Sequence, residues 1–75
     1  MGIDYKTAIR IECVEGFIPE GGDLVIMKGD IFYQSPEYSE DWVGEDDGRM
    51  EGMFIAFYPE QLAKNFKFIG KKTIY

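Results

Sequence analysis

The chain reads as an all-β domain: a small barrel of five short strands, with a long first hairpin loop and one short helical turn before the last strand. Three observations predict it. The apolar runs are short, and the first alternates with polar residues at a period of two, as in a strand that buries one face. Turn formers (Gly16, Pro19, Gly21, Gly22, Gly29, Pro36, Gly48) fall too close together to leave room for a long helix. Finally, 75 residues make one domain, which buries only about 60% of its unfolded surface. So thin a core is best enclosed by a sheet bent into a barrel, which also removes most free strand edges.

The elements follow in order. From Thr7 to Val14, Ile9, Ile11 and Cys13 alternate with Arg10 and Glu12, which predicts a half-buried strand. Cys13 lies on the apolar parity. With no histidine in the chain to activate it, it reads as a small buried hydrophobe. Glu15 to Asp23 is an irregular loop; within it, Phe17 and Ile18 either fold back as the loop's own core or Phe17 faces a ligand. The apolar run Leu24–Met27 leads into the turn Lys28-Gly29-Asp30, where glycine permits a positive φ.

Ile31–Gln34 is the second strand, and Ser35–Glu40 a polar loop in which Pro36 bars a central strand. Asp41–Glu45, the third strand, carries the single tryptophan, Trp42. Asp46-Asp47-Gly48 predicts a tight hairpin turn, after which Arg49–Ile55 returns as the partner strand, kinked at Gly52. Ala56–Leu62, with Pro59 inside it, suits one helical turn, and Asn65–Ile69 forms the closing strand. Residues 1–6 and 70–75 are expected to be flexible tails of a single domain spanning 1–75.

Charge is unevenly distributed. The net charge is −6, yet between Glu12 and Glu51 twelve acids face only Lys28 and Arg49, while the flanks are basic. Such a middle repels nucleic acid and attracts basic partners, and it also keeps a small aromatic-rich protein in solution. The chain has no histidine, and its one cysteine rules out an internal disulfide, which suits a reducing, cytoplasmic setting. Glu45, Asp46, Asp47 and Glu51 lack the spacing of a calcium loop and read as a solvated turn. Glu20-Gly21-Gly22-Asp23 puts acids where a phosphate-cradling loop needs backbone amides alone.

No apolar run approaches the roughly 18 residues of a membrane helix, and no export signal is visible. The expectation is therefore no enzyme, no metal or cofactor, no membrane and no direct nucleic-acid binding. A monomer or weak dimer is expected, since an exposed last strand could pair with a second copy.

The spacing resembles that of Src-homology-3 domains. Asp23-Leu24-x-Ile26-x-Lys28-Gly29-Asp30 is similar to that family's Asp-Leu-Ser-Phe-Lys-Lys-Gly-Asp stretch. Trp42 stands where the family has its binding tryptophan. Gly48-Arg49-x-x-Gly52-Met53-Phe54-Ile55-Ala56-Phe57-Tyr58 resembles its Gly-Arg-x-Gly-Leu-Phe-Pro-Ser-Asn-Tyr ending with one residue inserted. The resemblance spans Asp23 to Tyr58 and implies an SH3-like barrel whose aromatic-walled groove binds a proline-rich segment. It implies that Trp42 and Tyr58 wall the groove and that Glu15, Glu20 and Asp23, assisted by Glu40 and Asp41, meet a basic residue beside the prolines. Val14 and Gly16 replace the two tyrosines of the family's Ala-Leu-Tyr-Asp-Tyr motif, Ile55 its groove proline and Phe57 its asparagine. Phe57 and Phe17 are expected to rebuild the apolar surface.

Two functions follow as expectations. The first is a non-enzymatic protein-interaction module binding a basic or proline-containing partner through Trp42, Tyr58, Phe57, Phe17 and the acidic loops, with Trp42 as a partly exposed anchor. The second is a small stand-alone acidic protein of phage or mobile-element type. It would inhibit a host nucleic-acid-binding enzyme by setting Glu37, Glu40, Asp41, Glu45, Asp46, Asp47 and Glu51 where phosphates would lie.

Overall fold

The structure is a computed structural model that describes residues 6–19 and 24–74. The chain forms β1 (Lys6–Cys13), β2 (Ile31–Gln34), β3 (Asp41–Gly44), β4 (Phe54–Ala56), α1 (Pro59–Lys64) and β5 (Phe66–Ile74). All neighbouring strands pair antiparallel, in the order β4-β3-β2-β1-β5. This is the small all-β fold that the sequence predicts, five antiparallel strands in one sheet consistent with an SH3-like barrel, with the short helix just before the last strand. Among the described residues β4 and β5 do not pair, so the two outer strands each keep a free edge.

One face of the sheet is apolar, and the register shows why. Ile11 pairs with Phe32 and Trp42 with Ile55, so these four side chains share a face. Ile11, Phe32 and Trp42 join Cys13, Ile26, Met50, Phe57 and Phe66 in the core, with Phe17, Leu24, Ile55 and Leu62 packed against it. Four rings form its centre. Phe57 lies 5.2 Å from Phe32 and 4.7 Å from Phe66, and Phe17 meets Phe57 and Phe66 edge-on at 5.8 and 5.6 Å. Burial of each such side chain contributes about 1.5–3 kcal/mol.

The first loop folds back on this centre. Phe17 and Ile26 exchange backbone hydrogen bonds of 2.9 and 2.8 Å, forming an isolated bridge. Phe17 thus packs on the domain's core through Phe57 and Phe66, whereas Ile18, expected to fold back with it as a core of the loop's own, is 62% exposed. The loop closes at Gly29, whose φ of 97° leaves room for the Asp30 N–H to donate to Met27 O at 3.0 Å.

Three features differ from the sequence expectation. Residues 49–52 are successive turns, and β4 begins only at Phe54. The cause is Met50, which dips into the core over Gly44. A Cβ on Gly44 would collide with the Met50 carbonyl oxygen, so only glycine admits this close approach. The helical turn starts later than expected, at Pro59, where Pro suits the first helical position. The third correction concerns the expected tail from residue 70, which is strand through Ile74. The register slips between Arg10 and Ile11, leaving Ile69 as a bulge, and Gly70 adopts φ 129°. Beyond it, Lys71–Ile74 pair with Lys6–Ile9 in a two-stranded ribbon.

The ribbon lengthens the molecule to 45 × 22 × 20 Å. The radius of gyration is 12.6 Å, where a compact chain of this length would give about 11 Å. Lys72, opposite Ala8, holds its Nζ 4.5 Å from the Tyr33 ring centroid, and Ala8 is buried.

Candidate partner-binding face

Asp41 pairs with Ala56, so the β2–β3 loop and the start of α1 leave the sheet at the same end. Ser35 shapes the loop. Its buried hydroxyl accepts from the N–H groups of Glu37 and Tyr38 at 3.3 and 3.2 Å. The backbone closes the loop through Ser35 N to Asp41 O (2.8 Å) and Asp41 N to Tyr38 O (2.9 Å), and Gln34 Nε2 donates to Ser39 O at 2.8 Å. With its own backbone so satisfied, the loop turns Tyr38 outward, 64% exposed, between the exposed Glu37 and Glu40. Residues Glu37–Asp41 line a shallow hollow.

Tyr58 stands at the start of α1, 55% exposed, as its N-cap residue; its N–H donates to Gln61 Oε1 at 2.9 Å. Glu15 lies near the other end of this helix. Its carbonyl oxygen accepts from Asn65 Nδ2 at 2.9 Å and from Cys13 Sγ at 3.3 Å. Six residues of helix set the two ends about 9 Å apart.

Trp42 overturns the expectation of an open anchor. It is 6% exposed and part of the core. The reason is strand parity: Trp42 pairs with Gln34, two residues from the fully buried Phe32, and so shares its inward face. Phe57 is likewise core at 7% exposure, and Phe17 is half-buried against it. Of the four aromatic candidates only Tyr58 is exposed. Among the acids, Glu15 and Glu40 are exposed and Asp41 is half-buried, while Glu20 and Asp23 lie outside the described residues. Sequence reasoning missed Tyr38. Its signal was present: a tyrosine in a proline-containing loop between two acids, outside any apolar run.

The β3–β4 loop carries the other acids, at the opposite end of β3. Glu45 grips Arg10 with both oxygens, at 2.8 and 2.9 Å. The Arg49 guanidinium bonds Asp30 and the Val25 carbonyl, and this partnership with Asp30 raises its pKa further. Asp46, Asp47 and Glu51 are exposed, with Glu51 Oε1 accepting from the Asp47 N–H at 3.3 Å. A second hollow lies between this loop and Gly29–Ile31.

Among the described residues, no group of three or more cysteine, aspartate or glutamate side chains could hold a metal ion. Burial pushes the Cys13 thiol above its ordinary value of 9.0. No described helix is long and apolar enough to cross a membrane. Comparison with family models, with curated proteins and with solved structures finds no match.

Proposed function

We propose that the protein is a non-enzymatic interaction module, a divergent relative of Src-homology-3 domains, that binds an extended basic segment of another protein. The observation that carries this reading is that Tyr38 and Tyr58 are both exposed on segments that leave the sheet at the same end, with Glu37, Glu40 and Asp41 in the loop of Tyr38. Tyrosines offer large, stiff contact area with a polar tip, and carboxylates around them select a cationic partner. With Trp42 buried, no indole stands open to divide a groove between prolines, so the partner's cations set the selectivity and proline is a permitted ligand residue. A buried free thiol is compatible with a reducing, cytoplasmic setting.

The test is titration with proline-rich peptides that differ only in flanking arginines. The reading requires binding that weakens when the arginines become glutamine. Equal binding of both peptides, or of neither, counts against it.

A second reading, an inhibitor that occupies a basic nucleic-acid cleft, is favoured by one further observation. Exposed carboxylates stand at both ends of β3, with Glu37 and Glu40 at one end and Asp46, Asp47 and Glu51 at the other, about 13 Å apart along the strand. That reading requires binding to a basic enzyme which DNA competes away and salt weakens. Binding indifferent to both removes it.

A further inference from the structure

β5 is the outermost strand at its end of the sheet. One edge pairs with β1 from Cys13↔Phe66 to Lys6↔Ile74, and no described strand lies on the other. In an antiparallel ladder, alternate residues direct their N–H and C=O groups away from the partner, so this free edge is a template for another strand. It contains no proline, but the bulge at Ile69 and Gly70 divides it into Phe66–Phe68 and Lys71–Ile74, a break that an added strand must follow. It carries Phe68, 63% exposed although it pairs with the buried Ile11, and the exposed Lys67 and Lys71. Phe68 and Lys71 lie on the face of Ile11 and Ile9, and Lys67 lies on the face of Glu12.

Charge decides what fits. A second copy would bring its own Lys67 and Lys71 to the seam, and like charges across strands are unfavourable. The same lysines favour carboxylates. We propose that the free edge of β5 accepts an extended acidic segment of another protein as a sixth strand. An apolar residue of that segment covers Phe68, and its carboxylates stand beside Lys67 and Lys71. The backbone supplies the affinity and the lysines the selectivity. This surface is opposite in sign to the tyrosine face and sits on a different element.

The test uses the full chain and a synthetic peptide of β5's length with isoleucine at the position opposite Phe68 and glutamate at the positions opposite Lys67 and Lys71. A second peptide carries glutamine for glutamate, and oligothymidylate is the third probe. Amide NMR shifts and hydrogen exchange report the contact residue by residue. The glutamate peptide is expected to shift and protect amides within residues 66–73. The double variant Lys67→Glu/Lys71→Glu is expected to weaken it roughly tenfold, as loss and reversal of two cross-strand pairs imply. Tryptophan emission checks that this variant stays folded. Oligothymidylate binding in place of the peptide would assign the edge to nucleic acid and overturn the proposal. So would equal binding of the glutamine peptide, or self-association through β5 in sedimentation without any peptide.

Discussion

Asp30 and Arg49 join the two longest loops of the molecule. Arg49 Nη2 donates to Asp30 Oδ2 at 2.6 Å and Nε to Oδ1 at 3.3 Å, and Oδ2 also accepts the Met27 N–H at 2.8 Å. Asp30 is 8% exposed, while the Arg49 side chain is 45% exposed. A single buried carboxylate therefore ties the turn at the end of the first loop to the β3–β4 loop.

This asymmetry predicts unequal mutants. Asp30→Ala removes the partner of a backbone amide and of a guanidinium, and should destabilise by about 2–3 kcal/mol. Arg49→Ala leaves the Met27 bond in place and opens Asp30 to water, so a clearly smaller loss than for Asp30→Ala is expected. Urea unfolding followed by tryptophan emission measures both. An Arg49→Ala cost equal to that of Asp30→Ala would show that the clamp acts through the arginine alone.

Gly44 should tolerate no side chain. The obstruction is the backbone oxygen of Met50, which cannot rotate away, with the Met50 Cβ 2.9 Å from the same point. Gly44→Ala is expected to cost about 3 kcal/mol or more, or to prevent folding. Removing the Met50 side chain in the same chain should not rescue it. A Gly44→Ala protein with unchanged urea midpoint would contradict the packing described.

Cys13 is 1% exposed, and burial holds its thiol above the ordinary value. Native protein near neutral pH should resist maleimide labelling, and denatured protein should label fully. A thiol whose folded pKa is raised contributes stability that is complete below the unfolded value. That contribution is lost as pH rises through 9.0 and beyond. Replacing Cys13 by alanine should therefore flatten the alkaline fall in stability. Rapid labelling under native conditions would show that the core opens at this strand.

Trp42 should emit as a buried indole, blue-shifted and shielded from acrylamide, and should shift red on unfolding. Trp42→Ala is expected to cost about 3–5 kcal/mol, as for other large core truncations. Ready quenching in the native state would return the ring to the surface.

How far the sequence reached is clear from single residues. The alternation and the run Ile31–Gln34 placed β1 and β2, and Ile11 and Cys13 are core as the alternation expects. Ile9, on the same parity, is exposed, and Ala8, on the other, is buried, because this end of β1 lies in the ribbon beyond the core. Parity also held the answer for Trp42, but its pairing with Gln34 and Ile55 depends on register, which a four-residue strand does not reveal. Asp46-Asp47-Gly48 did mark a turn, with Asp47 at φ 65°, yet the descent of Met50 over Gly44 is a tertiary event. The strand beyond Gly70 was hidden for a similar reason. Lys71 and Lys72 look like a solvated tail until Lys6–Ile9 pairs with them and Tyr33 receives the Lys72 ammonium. Tyr38 was visible as a residue but not as a site, since only the Ser35 turn and the end shared with α1 give it a role.

The most direct test of the binding account is an amide NMR titration with an arginine-flanked proline-rich peptide, for the native chain and for Tyr38→Ala. Shifts confined to residues 35–41 and 56–61 are expected, with affinity about tenfold weaker in the variant and falling as salt rises. Shifts elsewhere, or an affinity unmoved by both salt and Tyr38→Ala, would contradict it.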